Sequence, residues 1–140
     1  MKGILYNPKR PVTKDTVYQL AYEMHRLGTL RYDLYKSTWP NEKKFRMVLD
    51  CKKGELDAYE FVMKTLNEMQ LPFVRSGFLA FLGGWIEFYN RHWKESRDKN
   101  ESFAVYMSGC ENALAHIRDF VNTGLDNCFP VEGGDVCTKR

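Results

Sequence analysis

Acidic side chains are the first candidates for chemistry in this chain. Within GELDAYE, residues 54–60, Glu55, Asp57 and Glu60 stand close together. Helical bundles hold metal ions through carboxylates that project inward from several helices toward one point. Spacing argues against such a cage. At about 100° per residue, Glu55 falls inside the apolar stripe of its helix, Asp57 points away and Glu60 lies at the margin. Glu87 falls on the outer side of a later helix and Glu111 on the rim of the last one. No Glu-x-x-His pair stands where a second ligand set would be needed, so no metal and no cofactor is expected.

GELDAYE nevertheless resembles an acidic fragment of the all-α nucleotide pyrophosphohydrolases, and a four-helix architecture is shared with them and with the di-iron bundle proteins. This resemblance implies an alternative function, metal-dependent hydrolysis of nucleotides, in which Glu55 would matter most. The motif is short and covers little of the chain.

The remaining reactive residues do not converge. Of the three histidines, His25 sits at a stripe margin, His92 within an aromatic face, and His116 is expected to point outward. Cys51 and Cys110 are single and helical, and Cys110 lies in a core stripe as a small apolar residue. Cys128 and Cys137 enclose eight residues, FPVEGGDV, whereas zinc sites favour two to four between paired cysteines. They are left as thiols or a surface disulfide. There is no HExxH, GxSxG, phosphate loop or dinucleotide fingerprint. No catalytic residue is assigned.

Lys52 and Glu55 carry a different signal. They lie three apart, and both interrupt the apolar stripe of their helix. Charges on a buried face are expensive unless paired. They are therefore read as an intrahelical ion pair, or as the place where the middle of a long helix leaves the core and meets a partner. Around them the chain is basic. Residues 1–54 carry a net charge of +7 and residues 55–140 a net charge of −4, within an overall +3. Opposed halves suit an acidic partner or self-association. Trp39, in STWPNEKK at the turn between two helices, either plugs the bundle end or serves as a binding anchor, a role in which tryptophan is over-represented. The partner-binding candidates are Trp39, Lys43, Lys44, Arg46, Lys52, Lys53 and Glu55. Nucleic acid is the alternative partner. Arg46, Lys53 and Lys64 share a line, but Asp57 and Glu60 flank it, and a phosphate-tracking surface is less mixed.

These residues ride on four helical patterns. The first runs through Val17, Leu20, Ala21, Met24, Leu27, Leu34 and Tyr35, with Thr13 or Thr16 as cap and Thr16–Gln19 matching a capping box. Gly28 lies on its apolar side, where a neighbouring helix can approach. The second runs from Phe45 to Leu66 and is closed by Pro72. The third is GFLAFLGGWIEFYNRHW, residues 77–93. Its aromatic half and its half bearing Gly83, Gly84 and Glu87 are cleanly separated. A membrane helix would be apolar all round, so no membrane association is expected. Ser76 is the expected cap. The apolar arc spans about 180°, against roughly 100° for an ordinary bundle helix. This predicts a central helix, or an aromatic interface through Trp85, Tyr89, His92 and Trp93 that would form a homodimer. The fourth stripe runs from Phe103 to Leu125, with Gly124 as stop.

The predicted fold is all-α, an antiparallel bundle of four main amphipathic helices near 13–37, 41–70, 76–96 and 101–124. It forms a single domain with an irregular N-terminal arm (1–12) and a loose C-terminal tail (126–140). GILY, hemmed in by Pro8 and Pro11, is the sole candidate strand. No signal peptide is apparent, and a cytoplasmic location is expected. The functional reading is a non-enzymatic interaction module, an inhibitor or adaptor that binds an acidic surface of another protein. Small accessory proteins of phages and mobile elements share this profile.

Overall fold

A computed structural model describes residues 12–38, 43–70 and 72–123, with the backbone alone for residues 43–45 and 123. The GILY segment, Trp39, Gly124, the tail with Cys128 and Cys137, and the side chains of Lys43 and Lys44 lie outside the described residues. Four helices follow one another: α1 (Lys14–Thr38), α2 (Lys43–Glu68), α3 (Arg75–Ser96) and α4 (Glu101–Thr123). Among the described residues there is no strand, and no helix is long and apolar enough to cross a membrane.

The helix starts follow local hydrogen bonding. Thr16 donates its backbone N–H to Thr13 Oγ1 at 3.2 Å, and Thr13 donates its own to Thr16 Oγ1 at 2.8 Å. This reciprocal arrangement satisfies donors that the first turn leaves orphaned. It sits one turn before the expected Thr16–Gln19 pair. Asn100 Oδ1 accepts the Phe103 N–H at 3.1 Å and caps α4. Ser76 does not cap α3. The helix begins one residue earlier, after an extended Val74 that offers no side-chain bond.

Successive helices run antiparallel. His25 meets Glu60 and Gly28 meets Leu56 across α1 and α2. Arg75 meets Asn122 and Trp93 meets Glu111 across α3 and α4. It follows that α2 and α4 run parallel, as the Asp50–Ser102 and Asp57–Tyr106 hydrogen bonds confirm. This non-consecutive pair forms the centre. α1 lies along α2, α3 lies along α4, and α1 touches α4 only sparsely.

Glycines create that centre. A Cβ on Gly54 would fall on the carbonyl oxygen of Tyr106, and one on Gly109 would fall on the carbonyl oxygen of Cys51. The two backbones therefore meet at a point only glycine allows. The third helix is not central, contrary to the expectation from its wide apolar arc. Its rings act as spacers instead. Phe81 and Trp85 reach across to Phe61 of α2, with centroids 5.8 and 5.3 Å away, so α3 and α2 meet through side chains and not through close backbones. Gly83 and Gly84 have nothing within 4 Å of where a Cβ would stand; the helix runs straight through them.

The core joins Val17, Leu20 and Ala21 to Val62 and Leu66, and these to Leu82, Leu114, Ile117 and Val121. All nine are fully buried. This core occupies one end of the bundle. No residue is buried between Tyr22 and Thr38 or between Arg46 and Lys53, so the far halves of α1 and α2 continue beyond it as a partly covered hairpin.

Candidate functional site

α1 lies along α2 and touches α4 only sparsely, while α4 is held against α2 at the glycine crossing. A cleft of about 230 Å³ lies between α1, α2 and α4. Buried Tyr59 and Ala113 stand at its base, and exposed Asn112 is at its edge. Met24 and Leu27 supply an apolar wall, and Arg31, Lys52, Glu55 and His116 bring polar groups to the same space.

Lys52 Nζ lies 3.2 Å from Glu55 Oε1, with both side chains about three-quarters covered (24% and 22% exposed). The predicted intrahelical pair is therefore formed, and it is placed at the cleft. Glu55 also approaches Cys51 Sγ at 4.0 Å. Burial first, and then the Glu55 charge, raises the Cys51 thiol above its ordinary pKa. Arg31 makes no ion pair among the described residues.

The other acids of GELDAYE face elsewhere. Asp57, expected to point away, accepts a 2.6 Å hydrogen bond from Tyr106 Oη of α4, with Lys53 Nζ at 3.6 Å. Glu60 is exposed and lies 2.9 Å from His25 Nε2. Glu55, Asp57 and Glu60 thus serve three different neighbours. Glu111, placed on the rim by periodicity, is half-buried. It accepts from Trp93 Nε1 at 2.8 Å and Asn90 Nδ2 at 3.0 Å. Among the described residues no three His, Cys, Asp or Glu side chains group as a metal site.

The candidate aromatic interface is tied into the molecule. Trp85 packs on Phe88 and Tyr89 at 5.2 and 5.9 Å, and His92 lies 4.3 Å from Phe88, between ring centroids. His92 also lies 3.9 Å from Glu95. Tyr89 faces Cys110, and burial raises its hydroxyl pKa. Burial likewise pushes the Cys110 thiol up to about 12 and raises Tyr106, which the hydrogen bond to Asp57 raises further. These groups remain protonated and neutral over the ordinary pH range.

Of the partner-binding candidates, Lys52 and Glu55 come together in the cleft. Lys53 points off it toward Asp57, and Arg46 is exposed further out on α2. Two cleft residues were missed. Arg31 interrupts the apolar side of α1 between Leu27 and Leu34, just as Lys52 interrupts that of α2, and that break was the available signal. His116 was expected to face outward; it is half-covered and lines the cleft, because α1 stands beside a face of α4 that periodicity alone leaves empty.

The far hairpin also displays large apolar side chains. Leu30 and Leu34 are 58% and 59% exposed, and Val48 is 36% exposed. Leu27, Arg31 and Leu34 recur at helical intervals along one side of α1, so the apolar residues continue outward from the cleft. A second hollow, of about 480 Å³ where α2 turns toward α3, is almost wholly apolar, lined by Met69, Pro72, Phe78 and Phe81 among others. No family model, curated protein or solved structure matches this chain.

Proposed function

We propose that this protein is an interaction module that binds an acidic surface of another protein through the far half of the α1–α2 hairpin, as an inhibitor or adaptor would. The observation that carries this reading is the exposure of Leu30 and Leu34, at 58% and 59%, on a helix side they share with Arg31. Large apolar side chains displayed in a group beside charge mark contact surfaces more often than scattered single ones do. Arg31, Lys36 and Arg46 lie on the same hairpin half and make no ion pair among the described residues. Asp33 and Asp50 offset part of this charge, and the positive balance that is left steers an acidic partner.

The decisive comparison is between the natural chain and Leu30→Ser/Leu34→Ser as bait in cell extract from the source. Both positions are solvent-facing, so the double variant keeps its fold. The reading expects one partner, retained by the natural chain and lost by the variant, with retention weakened by salt. Equal retention by both would remove the hairpin as the binding face. Recovery of nucleic acid alone, with affinity falling steeply in salt, would favour a nucleic-acid partner instead.

A further inference from the structure

We infer that the cleft between α1, α2 and α4 is a carboxylate-binding site, in which Arg31 is the principal ligand-binding group and Glu55 holds Lys52 partly in reserve. The inference deepens the proposed function by naming the chemistry the surface takes, but its test needs no partner protein.

Lys52 and Glu55 compensate one another at 3.2 Å. Arg31 lines the same space and is half-covered, yet it has no anion among the described residues. Arg31 and Lys52 set against Glu55 leave a single formal positive charge in the cleft. A partly desolvated guanidinium that meets no anion among the described residues has donors to offer a ligand, and its planar fork matches a carboxylate in two-point contact. Asn112 adds an amide donor at the rim.

The neighbouring residues narrow the ligand further. One net positive charge suits a monoanion better than a phosphate dianion, which the Glu55 carboxylate would repel. Met24, Leu27 and Ala113 offer an apolar wall for a short aliphatic stem. The space, about 230 Å³, falls below the roughly 300–1,000 Å³ typical of sites for drug-sized ligands. An aliphatic carboxylate of glutamate size fits all three requirements. It can come from an acidic side chain of a partner or from a small free acid.

The full chain is titrated with N-acetyl-glutamate N-methylamide and followed by backbone amide NMR. Its neutral glutamine analogue, inorganic phosphate, butyrate and an acidic decapeptide serve as comparisons. The glutamate probe is expected to bind in roughly the millimolar range, shifting amides of residues 27–31, 52–55 and 112–116, while the glutamine analogue leaves them unmoved. Arg31→Gln should weaken binding about tenfold, the loss of a charge-assisted contact. Glu55→Gln should tighten it several-fold, since Lys52 is released toward the ligand. These opposite signs are what a merely structural role would not produce, and the same spectra report whether each variant is folded. A decapeptide tighter than the single-residue probe assigns the site to a protein segment; butyrate tighter than the decapeptide assigns it to a free acid; both uphold the carboxylate chemistry. Equal binding of the glutamine analogue, tighter binding of phosphate, or full affinity in Arg31→Gln would overturn it. If Arg31-dependent binding holds while the Leu30/Leu34 variant still captures its partner, the cleft stands and the hairpin reading falls.

Discussion

Gly54 and Gly109 each stand where a single methyl group would overlap a carbonyl oxygen of the facing helix. Alanine at either position forces α2 and α4 apart. Overpacking of a close contact costs typically 1–3 kcal/mol, and a backbone atom cannot rotate aside as a side chain can. Urea unfolding should therefore show Gly54→Ala and Gly109→Ala destabilised by at least about 2 kcal/mol. Gly83→Ala, where a Cβ meets nothing within 4 Å, should gain up to about 1 kcal/mol from helix propensity. A similar sign for all three variants would contradict the close crossing. Cys110 gives a pH signature at the same scale. The fold holds its thiol protonated up to about 12, against an ordinary value of 9.0. Above pH 9 the unfolded chain therefore binds fewer protons than the folded one, and stability falls as pH rises. Below pH 9 this contribution is fully present. Tyr106 and Tyr89, also raised, act in the same direction above pH 10, their ordinary value. Urea midpoints measured from pH 8 to 11 should decline, and Cys110→Ala should decline less steeply.

At the scale of the helix, most of the architecture was legible in the sequence. Four apolar stripes predicted four helices, and the observed bounds, Lys14–Thr38, Lys43–Glu68, Arg75–Ser96 and Glu101–Thr123, lie within two residues of them. Periodicity reports which side of a helix is covered. It does not report which helix covers it. The paired Gly83 and Gly84 face open space, whereas single Gly54 and Gly109, which no pattern marks, set the centre. The width of an aromatic face was likewise misread. Large rings keep helices apart as readily as they draw them together, and α3 sits at the side for that reason. The cleft was half legible. Lys52 and Glu55 were visible as charges inside a stripe; Arg31 made the same kind of break and passed unnoticed among leucines. Caps were legible by residue type and not by position. Removing the Thr13 cap should weaken the start of α1: Thr13→Ala is expected to cost about 1 kcal/mol. Asn100→Ala should cost a similar amount through α4, because Asn100 Oδ1 holds the Phe103 N–H. Thermal or urea unfolding checks both, and a neutral result at Asn100 would mean that water serves that end equally well.

The whole molecule is divided by the geometry of its central pair. Where α1 and α3 both lean on α2 and α4, side chains are fully buried. Among the described side chains, none is buried beyond Ala21 on α1 or before Gly54 on α2. The same division separates the apolar core from the basic hairpin that displays Leu30 and Leu34, so the proposed binding surface and the folding core are different parts of one chain. Regions with few buried contacts open at lower free energy than the core does, a property suited to a surface that adjusts to a partner. The most direct test is native-state hydrogen exchange, resolved by residue. Amides of α2 and α4 on the core side of the glycine crossing, around Val62, Leu66, Leu114 and Ile117, should exchange only through global unfolding. Amides of residues 29–37 should exchange through local opening at least several kcal/mol cheaper, with α3 intermediate. Uniform protection along α1, or α3 slower than the α2–α4 pair, would contradict a molecule built on two helices joined at Gly54 and Gly109.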